Sequence, residues 1–127
     1  MSAQTDLVTR FFRAWEPAYG FRNAMAEFLT QDVEYENVGL TNTRGRDDAI
    51  KTIEGFVQGM GFASMSVQMR AIVSNGNTVM TERVDDLFDA QGRRLASLRV
   101  MGTLELRDGK ICAWRDYFDS AAMAPKG

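Results

Sequence analysis

The segment that decides the fold lies near the end of the chain, where residues 94–119 read RLASLRVMGTLELRDGKICAWRDYFD. Asp108 and Gly109 in its middle form a dipeptide that is typical of tight turns between antiparallel strands. The stretches on either side are bounded by turn residues and have the length of strands. The segment therefore predicts a β-hairpin whose strands cover residues 94–106 and 110–119.

Two further strands are predicted before this hairpin, over residues 64–74 and 78–88. Turn-forming residues, several of them glycine and asparagine, occupy positions 75–77 and 89–92. Short connectors of this composition join neighbouring antiparallel strands. The second half of the chain therefore predicts an antiparallel meander of four strands.

Apolar residues recur at helical spacing in the first half of the chain, as they do on the buried face of a helix. Pro17 and Gly20 mark the end of the first of these segments. Helices that come first and strands that come later indicate an α+β domain, in which helices cover one face of a bent sheet. The predicted elements are a helix over residues 3–19, a short helix over 24–29, a strand over 34–38, and a helix that is capped by Asp47 or Asp48 and runs to Met60.

The length of 127 residues suits a single domain over 1–127, which we expect to end in a loose tail over 120–127. The formal net charge of −2 gives no general attraction to nucleic acid or to anionic membranes. No stretch reads as a signal peptide or as a bilayer span, so we expect a soluble, cytoplasmic protein. Cys112 is the one cysteine, which excludes an internal disulfide.

The absence of histidine limits the chemistry that the chain can perform. It excludes serine–histidine triads and cysteine–histidine pairs, and with them most zinc and non-haem iron sites. Acid–base chemistry must therefore use carboxylates, tyrosine, lysine or the single thiol. We expect neither a metal nor a cofactor.

Strand parity places charged side chains where apolar ones are expected, because alternate residues of a strand face opposite sides of the sheet. Asp85 shares a face with Arg83, and Asp116 lies between the large aromatics Trp114 and Phe118. A buried carboxylate is costly unless it is paired, and the planar fork of an arginine can serve two carboxylates. The spacing alone leaves three interpretations open: a salt bridge that ties two strands together, a face misassigned because of a bulge, or an acid–base pair.

Tyr35 and Asn37 share a face of the predicted early strand. Taken by themselves they suit hydrogen bonding at the edge of a sheet. Strand parity therefore predicts that Tyr35 and Asn37 point to the same side of the sheet, and their role depends on which residues they face there.

Four short motifs together resemble the limonene-1,2-epoxide hydrolase family. These motifs are Tyr35-Glu36-Asn37, Glu82-Arg83-Val84-Asp85, Gly109-Lys110-Ile111 and Trp114-Arg115-Asp116-Tyr117-Phe118-Asp119. The family belongs to the nuclear transport factor 2-like, or ketosteroid-isomerase-like, superfamily, and the resemblance runs from the first helix to about Ser120. It implies a cone-shaped α+β domain with N-terminal helices packed on a strongly bent, mixed, mostly antiparallel sheet, and it suggests a homodimer formed through the outer face of that sheet.

The resemblance also implies an activity and assigns roles within it. A small apolar epoxide, terpene-like or cyclic, would be hydrolysed to a vicinal diol by one-step attack of water. By position, Asp116 matches the base and Asp85 matches the acid. Arg83 bridges the two aspartates, while Tyr35 and Asn37 hold the water.

The substrate pocket is expected to be apolar, to suit a substrate of low polarity. Eight methionines fit an adaptable lining, since the thioether side chain is flexible, although ordinary core packing remains an alternative for each of them. The predicted lining residues are Trp114, Leu87, Leu98, Val100 and Phe118 on the strand faces, with Phe56, Met60 and Met65 at the mouth.

Other functions on this fold remain open, because a fold does not fix an activity. A ketosteroid-isomerase-like or polyketide-cyclase-like enzyme would also use an aspartate in an apolar cone, but a cation between two aspartates does not suit its proton shuttle. A non-catalytic binding module would not require five polar residues that face a cavity. A glycosidase with two carboxylates is disfavoured by the apolar lining.

Overall fold

The computed structural model describes residues 2–123, which form three helices and one mixed six-stranded sheet. The helices are α1 (Ala3–Arg13), α2 (Phe21–Phe28) and α3 (Arg46–Met60). The strands are β1 (Leu29–Asn37), β2 (Thr41–Arg44), β3 (Ser64–Asn75), β4 (Thr78–Phe88), β5 (Arg94–Arg107) and β6 (Lys110–Tyr117). The strand order is β2-β1-β6-β5-β4-β3; β1 and β6 are parallel and every other pair is antiparallel. The α+β prediction, with N-terminal helices on a mixed and mostly antiparallel sheet, is confirmed.

The hairpin between β5 and β6 is formed by the turn that the sequence predicts. Asp108 has a φ of 53° and Gly109 a φ of 75°, the positive values that a two-residue hairpin turn requires at both central positions. Arg107 and Lys110 pair directly on either side of the turn. The turn thus sets the register where β6 begins, and a register shift between Glu105 and Leu106 of β5 then leaves Cys112 without a partner on that strand. Beyond this bulge the side chains of Trp114 and Asp116 are buried.

Several element boundaries differ from the predictions. The first helix ends at Arg13 rather than at residue 19, and residues 14–20 form turns in which Trp15 is nevertheless buried. The second helix begins at Phe21 rather than 24, the early strand begins at Leu29 rather than 34, and the last strand ends at Tyr117 rather than 119. Apolar spacing reports which residues face the core and does not report where the helical backbone stops.

The start of α3 also differs from expectation. Its N-cap is Gly45, which makes no side-chain cap hydrogen bond, while Asp47 and Asp48 lie inside the first turn. Acidic residues there stabilise a helix through its dipole rather than by capping its end. The prediction that one of the two aspartates caps the helix is wrong.

Two further features concern β2 and the end of the chain. Strand β2 was not predicted, because its four residues, Thr41–Arg44, are half-buried or exposed and have no apolar pattern. Ser120–Met123 forms a short 3-10 helix, and residues 124–127 of the predicted loose tail lie outside the described residues.

Helix α1 packs on one face of the sheet, against β3 and β4, and closes one side of the core. Its apolar residues Leu7, Val8, Phe11 and Phe12 are all buried. The Phe11 ring meets the Trp114 ring of β6 edge-on, with centroids 5.1 Å apart. Each such side chain contributes about 1.5–3 kcal/mol on burial. The helix therefore holds its position against the strands that carry the polar residues described next.

Candidate active site

Strands β4 and β6 direct a set of polar side chains toward the helix-covered face of the sheet. Along β4, every second residue from Val79 to Leu87 is buried, so Arg83 and Asp85 face inward, with Thr81 before them and Leu87 after them on the same face. Strand β5 lies between β4 and β6 in the sheet. The side chain of Arg83 therefore reaches across β5 to meet Asp116 on β6.

All five N–H groups of the buried Arg83 are used in hydrogen bonds. Nε and Nη2 donate to Asp85 at 3.1 and 2.9 Å. Nη1 and Nη2 donate to the two carboxylate oxygens of Asp116 at 3.1 and 3.0 Å. Nη1 also donates to Thr81 Oγ1 at 3.1 Å. Arginine has five N–H donors in a planar fork, so this arrangement satisfies each of them and ties both carboxylates to one cation.

The environment of Asp116 combines burial with three hydrogen-bond donors. Its Oδ1 accepts a hydrogen bond from Trp114 Nε1 at 2.9 Å in addition to the one from Arg83. Burial raises the pKa of the Asp116 carboxyl above its ordinary value, against the opposing effect of the Arg83 cation. For Arg83 itself, burial lowers the pKa, but the carboxylates of Asp116 and Asp85 outweigh it and the pKa lies above its ordinary value. The guanidinium therefore stays charged.

Tyr35 and Asn37 lie beside this cluster because β1 runs parallel to β6 in register. Tyr35 pairs with Trp114 and Asn37 pairs with Asp116. Asn37 Nδ2 donates to the Tyr35 hydroxyl at 2.9 Å and to Thr41 Oγ1 at 3.0 Å. Burial raises the pKa of the Tyr35 phenol, so this group stays protonated and keeps a hydrogen to donate. The sheet thus brings all five predicted polar residues to one face.

Aromatic rings fix the polar side chains in place. The Tyr35 ring stacks on the Trp114 ring with centroids 4.4 Å apart. The Phe12 ring of α1 covers the guanidinium of Arg83, whose Cζ lies 4.2 Å from the ring centroid. A cation over a ring face is attracted by the ring quadrupole, and more strongly where water is excluded. The helix layer therefore seals the Arg83 cluster from solvent on the side opposite the strands.

A cavity of about 60 Å³ lies against the polar cluster. Seven of the eight residues predicted to line the pocket line this cavity: Trp114, Leu87, Leu98, Val100, Phe118, Phe56 and Met65. Met60 does not, because it ends α3 and packs, half-buried, against the hydrophobic core. Tyr35, Asn37, Asp85 and Asp116 supply the polar part of the wall.

Sequence reasoning missed four residues of the site. Trp15, Ile53 and Phe62 line the cavity, and Thr81 holds the edge of the guanidinium. Ile53 and Trp15 stand on apolar faces that pattern alone assigns to the core. Thr81 lies two residues before Arg83 on the same strand face, a signal that strand parity carries.

Neither a metal cluster nor a membrane span is found in the part of the chain that the structure describes. Within residues 2–123 no group of three histidine, cysteine, aspartate or glutamate side chains is placed to hold a metal ion. Over the same residues, each helix is too short or too polar to cross a lipid bilayer.

Comparison with known proteins gives matches in sequence and in structure. Residues 2–126 match the model of the limonene-1,2-epoxide hydrolase catalytic domain. Epoxide hydrolase EphG of Mycobacterium tuberculosis is 36% identical over 91 residues, which are 72% of this chain and 58% of that protein. The match thus spans little more than half the length of this relative.

Solved structures show the same architecture. An LEH-like epoxide hydrolase of M. tuberculosis superposes with a TM-score of 0.77 at 30% identity, covering 95% of this chain and 86% of that one. An NTF2-like protein of unknown function from Burkholderia pseudomallei K96243 superposes with a TM-score of 0.74 at 20% identity, covering 97% and 95% of the two chains. The second likeness concerns the fold alone. Because the family model matches almost the whole of this chain, the chain belongs to the limonene-1,2-epoxide hydrolase family, and it has the NTF2-like fold.

Proposed function

We propose that the protein is an epoxide hydrolase that opens a small apolar epoxide to a vicinal diol by direct attack of water. One observation carries the proposal: two buried carboxylates share a single arginine at the polar wall of an otherwise apolar cavity. Opening an epoxide requires a base for the water and an acid for the departing oxygen. A carboxylate pair that holds one proton supplies both.

The hydrogen bonds favour Asp116 as the base and Asp85 as the acid. Asp116 accepts three N–H groups, and Asp85 accepts two. Donors stabilise the ionised form of a carboxyl and oppose the rise that burial causes in the pKa of Asp116, which favours this group as the base.

Tyr35, Asn37 and Asp116 match the hydrogen-bonding needs of one water molecule. The carbonyl oxygen of Asn37 and the carboxylate of Asp116 can accept its two hydrogens, since both amide hydrogens of Asn37 are engaged elsewhere. The protonated Tyr35 hydroxyl can donate to one of its lone pairs. The remaining lone pair is then free to attack carbon.

The reaction balances within this set of groups. A water oxygen forms a bond to one epoxide carbon while that carbon's bond to the ring oxygen breaks. The water loses a proton to Asp116, and the ring oxygen takes a proton from Asp85, which leaves a diol. Transfer of a proton from Asp116 to Asp85 restores the starting state. Arg83 and the pair carry no net charge before or after the step, so no uncompensated charge is buried.

The cavity wall supports an apolar substrate of small size. Apart from the four polar side chains, the residues that line the cavity are aromatic, aliphatic or methionine. Such a wall offers the carbon skeleton no hydrogen bonds and favours a hydrocarbon, such as a cyclic or terpene-like one. The polar wall then orients the epoxide ring toward Asp85.

We also propose that two copies associate through the outer face of the sheet. Met80, Met101, Val73 and Tyr117 are large apolar residues that are 49%, 52%, 62% and 47% exposed. They form two cross-strand pairs on neighbouring strands, Val73 with Met80 and Met101 with Tyr117. Large apolar side chains exposed together on one face of a sheet support an interaction surface there.

A turnover screen tests the proposed activity. Wild-type protein is offered a panel of cyclic and acyclic epoxides, and diol formation is measured by gas chromatography. We expect diol from at least one apolar epoxide, and a loss of about 10²–10⁴-fold in kcat for Asp116→Asn and for Asp85→Asn. Absence of turnover over the whole panel, or near-full activity of either variant, would contradict the proposal.

A further inference from the structure

Gly102 occupies the middle of β5, at the point where Arg83 crosses that strand. It pairs with Thr81 of β4 on one side and with Asp116 of β6 on the other. Six other glycines have positive φ, but Gly102 is not one of them. Its backbone is therefore one that any residue can adopt, and glycine in a strand interior is less stable than alanine. The reason for a glycine here lies in the space above it.

That space is filled by the groups that form the ion cluster. A Cβ at position 102 would lie 2.5 Å from Asp116 Oδ1, 2.6 Å from Arg83 Nη1 and 3.2 Å from Thr81 Oγ1. The first two atoms are the partners of a 3.1 Å hydrogen bond. A methyl group cannot occupy that position unless the carboxylate and the guanidinium move apart. At Gly59 in α3, by contrast, an added Cβ would meet nothing within 4 Å.

The carbonyl of Gly102 makes a second connection to the same cluster. It accepts a hydrogen bond from Thr81 Oγ1 at 3.2 Å, and this hydroxyl accepts one from Arg83 Nη1 at 3.1 Å. The hydroxyl hydrogen is therefore directed away from the guanidinium, which leaves a lone pair of Thr81 for Nη1. Gly102 thus affects the cluster in two ways: it leaves space for Arg83 and Asp116, and its carbonyl accepts the hydrogen bond from Thr81.

We propose that Gly102 is a positioning residue for the acid–base pair: its lack of a side chain creates the space in which Arg83 and Asp116 meet, and its carbonyl fixes the Thr81 hydroxyl against Arg83. The proposal rests on the proposed function for its effect on turnover. Its geometric content, the placement of Asp116 against Arg83 and Trp114, does not depend on any substrate.

The first test is kinetic and compares Gly102→Ala with Gly59→Ala in the full chain. We expect Gly102→Ala to lower kcat on an epoxide by about 10²-fold with little change in KM, as a misplacement of about 1 Å does. Gly59→Ala adds the same methyl group in open space and should keep the wild-type kcat.

The pH profile distinguishes positioning from loss of folded protein. Asp116 faces the charged groups Arg83 and Asp85 and the phenol of Tyr35, and Arg83 is the cation that lowers its pKa. Moving Asp116 away from Arg83 raises that pKa further, so the acidic limb of the kcat profile should move to higher pH in Gly102→Ala. Partial unfolding would lower kcat without moving the limb.

The second test needs no substrate. The chain has two tryptophans, so an amide correlation spectrum of the ¹⁵N-labelled protein contains two indole signals, which Trp15→Phe assigns. The indole N–H of Trp114 donates to Asp116 Oδ1, the atom nearest to the added methyl group. We expect Gly102→Ala to shift the Trp114 signal upfield as this bond weakens, with a smaller change at Trp15, and Gly59→Ala to shift neither.

These outcomes separate the two proposals. If the wild-type protein opens no epoxide but the Trp114 signal shifts as expected, the proposed function fails and the positioning role stands. An unshifted Trp114 signal in folded Gly102→Ala, or a wild-type kcat where the parent is active, would overturn the positioning role. If Gly102→Ala does not fold, the test uses Thr81→Val instead, because valine keeps the shape of the threonine side chain and removes its hydroxyl. It should lower kcat about tenfold, as loss of one hydrogen bond to a charged group does, and unaltered kcat would overturn the proposal.

Discussion

Replacement of Arg83 by lysine keeps the buried positive charge and removes the geometry that joins the two carboxylates. The guanidinium makes five hydrogen bonds, to Asp85, Asp116 and Thr81. An ammonium group has three N–H donors on a single nitrogen, so at least two of the five bonds are lost. At about 1.5–3 kcal/mol for a hydrogen bond to a charged group, the free energy of unfolding should fall by roughly 3–6 kcal/mol. Proteins of this kind are stable by about 5–15 kcal/mol, so the variant can still fold.

The kinetic effect of the same change should exceed its effect on folding. A lysine that contacts one carboxylate leaves the other without its cation, and the acid and base are no longer held relative to the substrate. We expect kcat to fall about 10²-fold or more, as for other displacements of catalytic groups. Turnover of the best epoxide and unfolding in urea are measured for Arg83→Lys and for Arg99→Lys, whose side chain is exposed on the neighbouring strand. Wild-type turnover in Arg83→Lys would refute the bridging role and leave Arg83 as a simple counter-charge.

Four further predictions follow from the same geometry. Tyr35→Phe and Asn37→Ala should each lower kcat by about tenfold or more with a smaller effect on KM, because they remove partners of the attacking water; equal losses in substrate binding would argue against that role. A single turnover in H₂¹⁸O with enzyme in excess should place the label in the first diol formed, whereas label in Asp85 or Asp116 would reveal an ester intermediate instead. Burial raises the pKa of Asp116 above its unfolded value of 3.8, so its contribution to stability is fully present below pH 3.8 and is lost as the pH rises through the folded pKa. Urea unfolding should therefore show the wild type losing stability relative to Asp116→Asn over that window, and a gain would contradict the assigned direction. Sedimentation should give a dimer for the wild type and a monomer for Met101→Glu, and a monomeric wild type would remove the proposed interface.

The strands and the polar face of the site were predictable because both depend on local signals. The turn at Asp108 and Gly109 has the backbone that its sequence favours, and it sets the register at the start of β6. The period of two that joins Trp114 and Asp116 places Asp116 with the buried residues, and the same rule places Arg83 and Asp85 inward on β4. Counting from the turn alone would place Asp116 outward, because the bulge at Cys112 changes the face of the residues that follow it. Local rules do not show that Tyr35 and Asn37 lie beside the two aspartates and the arginine; that expectation came from the motifs that resemble the limonene-1,2-epoxide hydrolase family.

The remaining features depend on contacts between residues distant in the chain. That Phe12 covers Arg83 follows from how α1 lies on the sheet, and no spacing within α1 reveals it. The extent of α1 was overestimated because Trp15 is buried by tertiary packing beyond the end of the helix. Met60 was placed at the cavity for the converse reason, since an apolar residue at helical spacing can face either the core or the cavity.

The sheet topology explains why an arginine has to stand between these two aspartates. Asp85 and Asp116 lie on β4 and β6, and β5 separates those strands. Neighbouring strands are about 4.8 Å apart, so the two backbones are separated by roughly 10 Å, more than two short aspartate side chains can span. A long side chain with donors on two edges joins them, provided that the intervening strand leaves room for it, as β5 does at Gly102. A ketosteroid-isomerase-like site on the same fold moves one proton along its substrate with a single base, whereas opening an epoxide with water needs both a base and an acid. Two carboxylates held by one arginine across an intervening strand therefore fit the proposed epoxide opening better than an isomerase on the same fold.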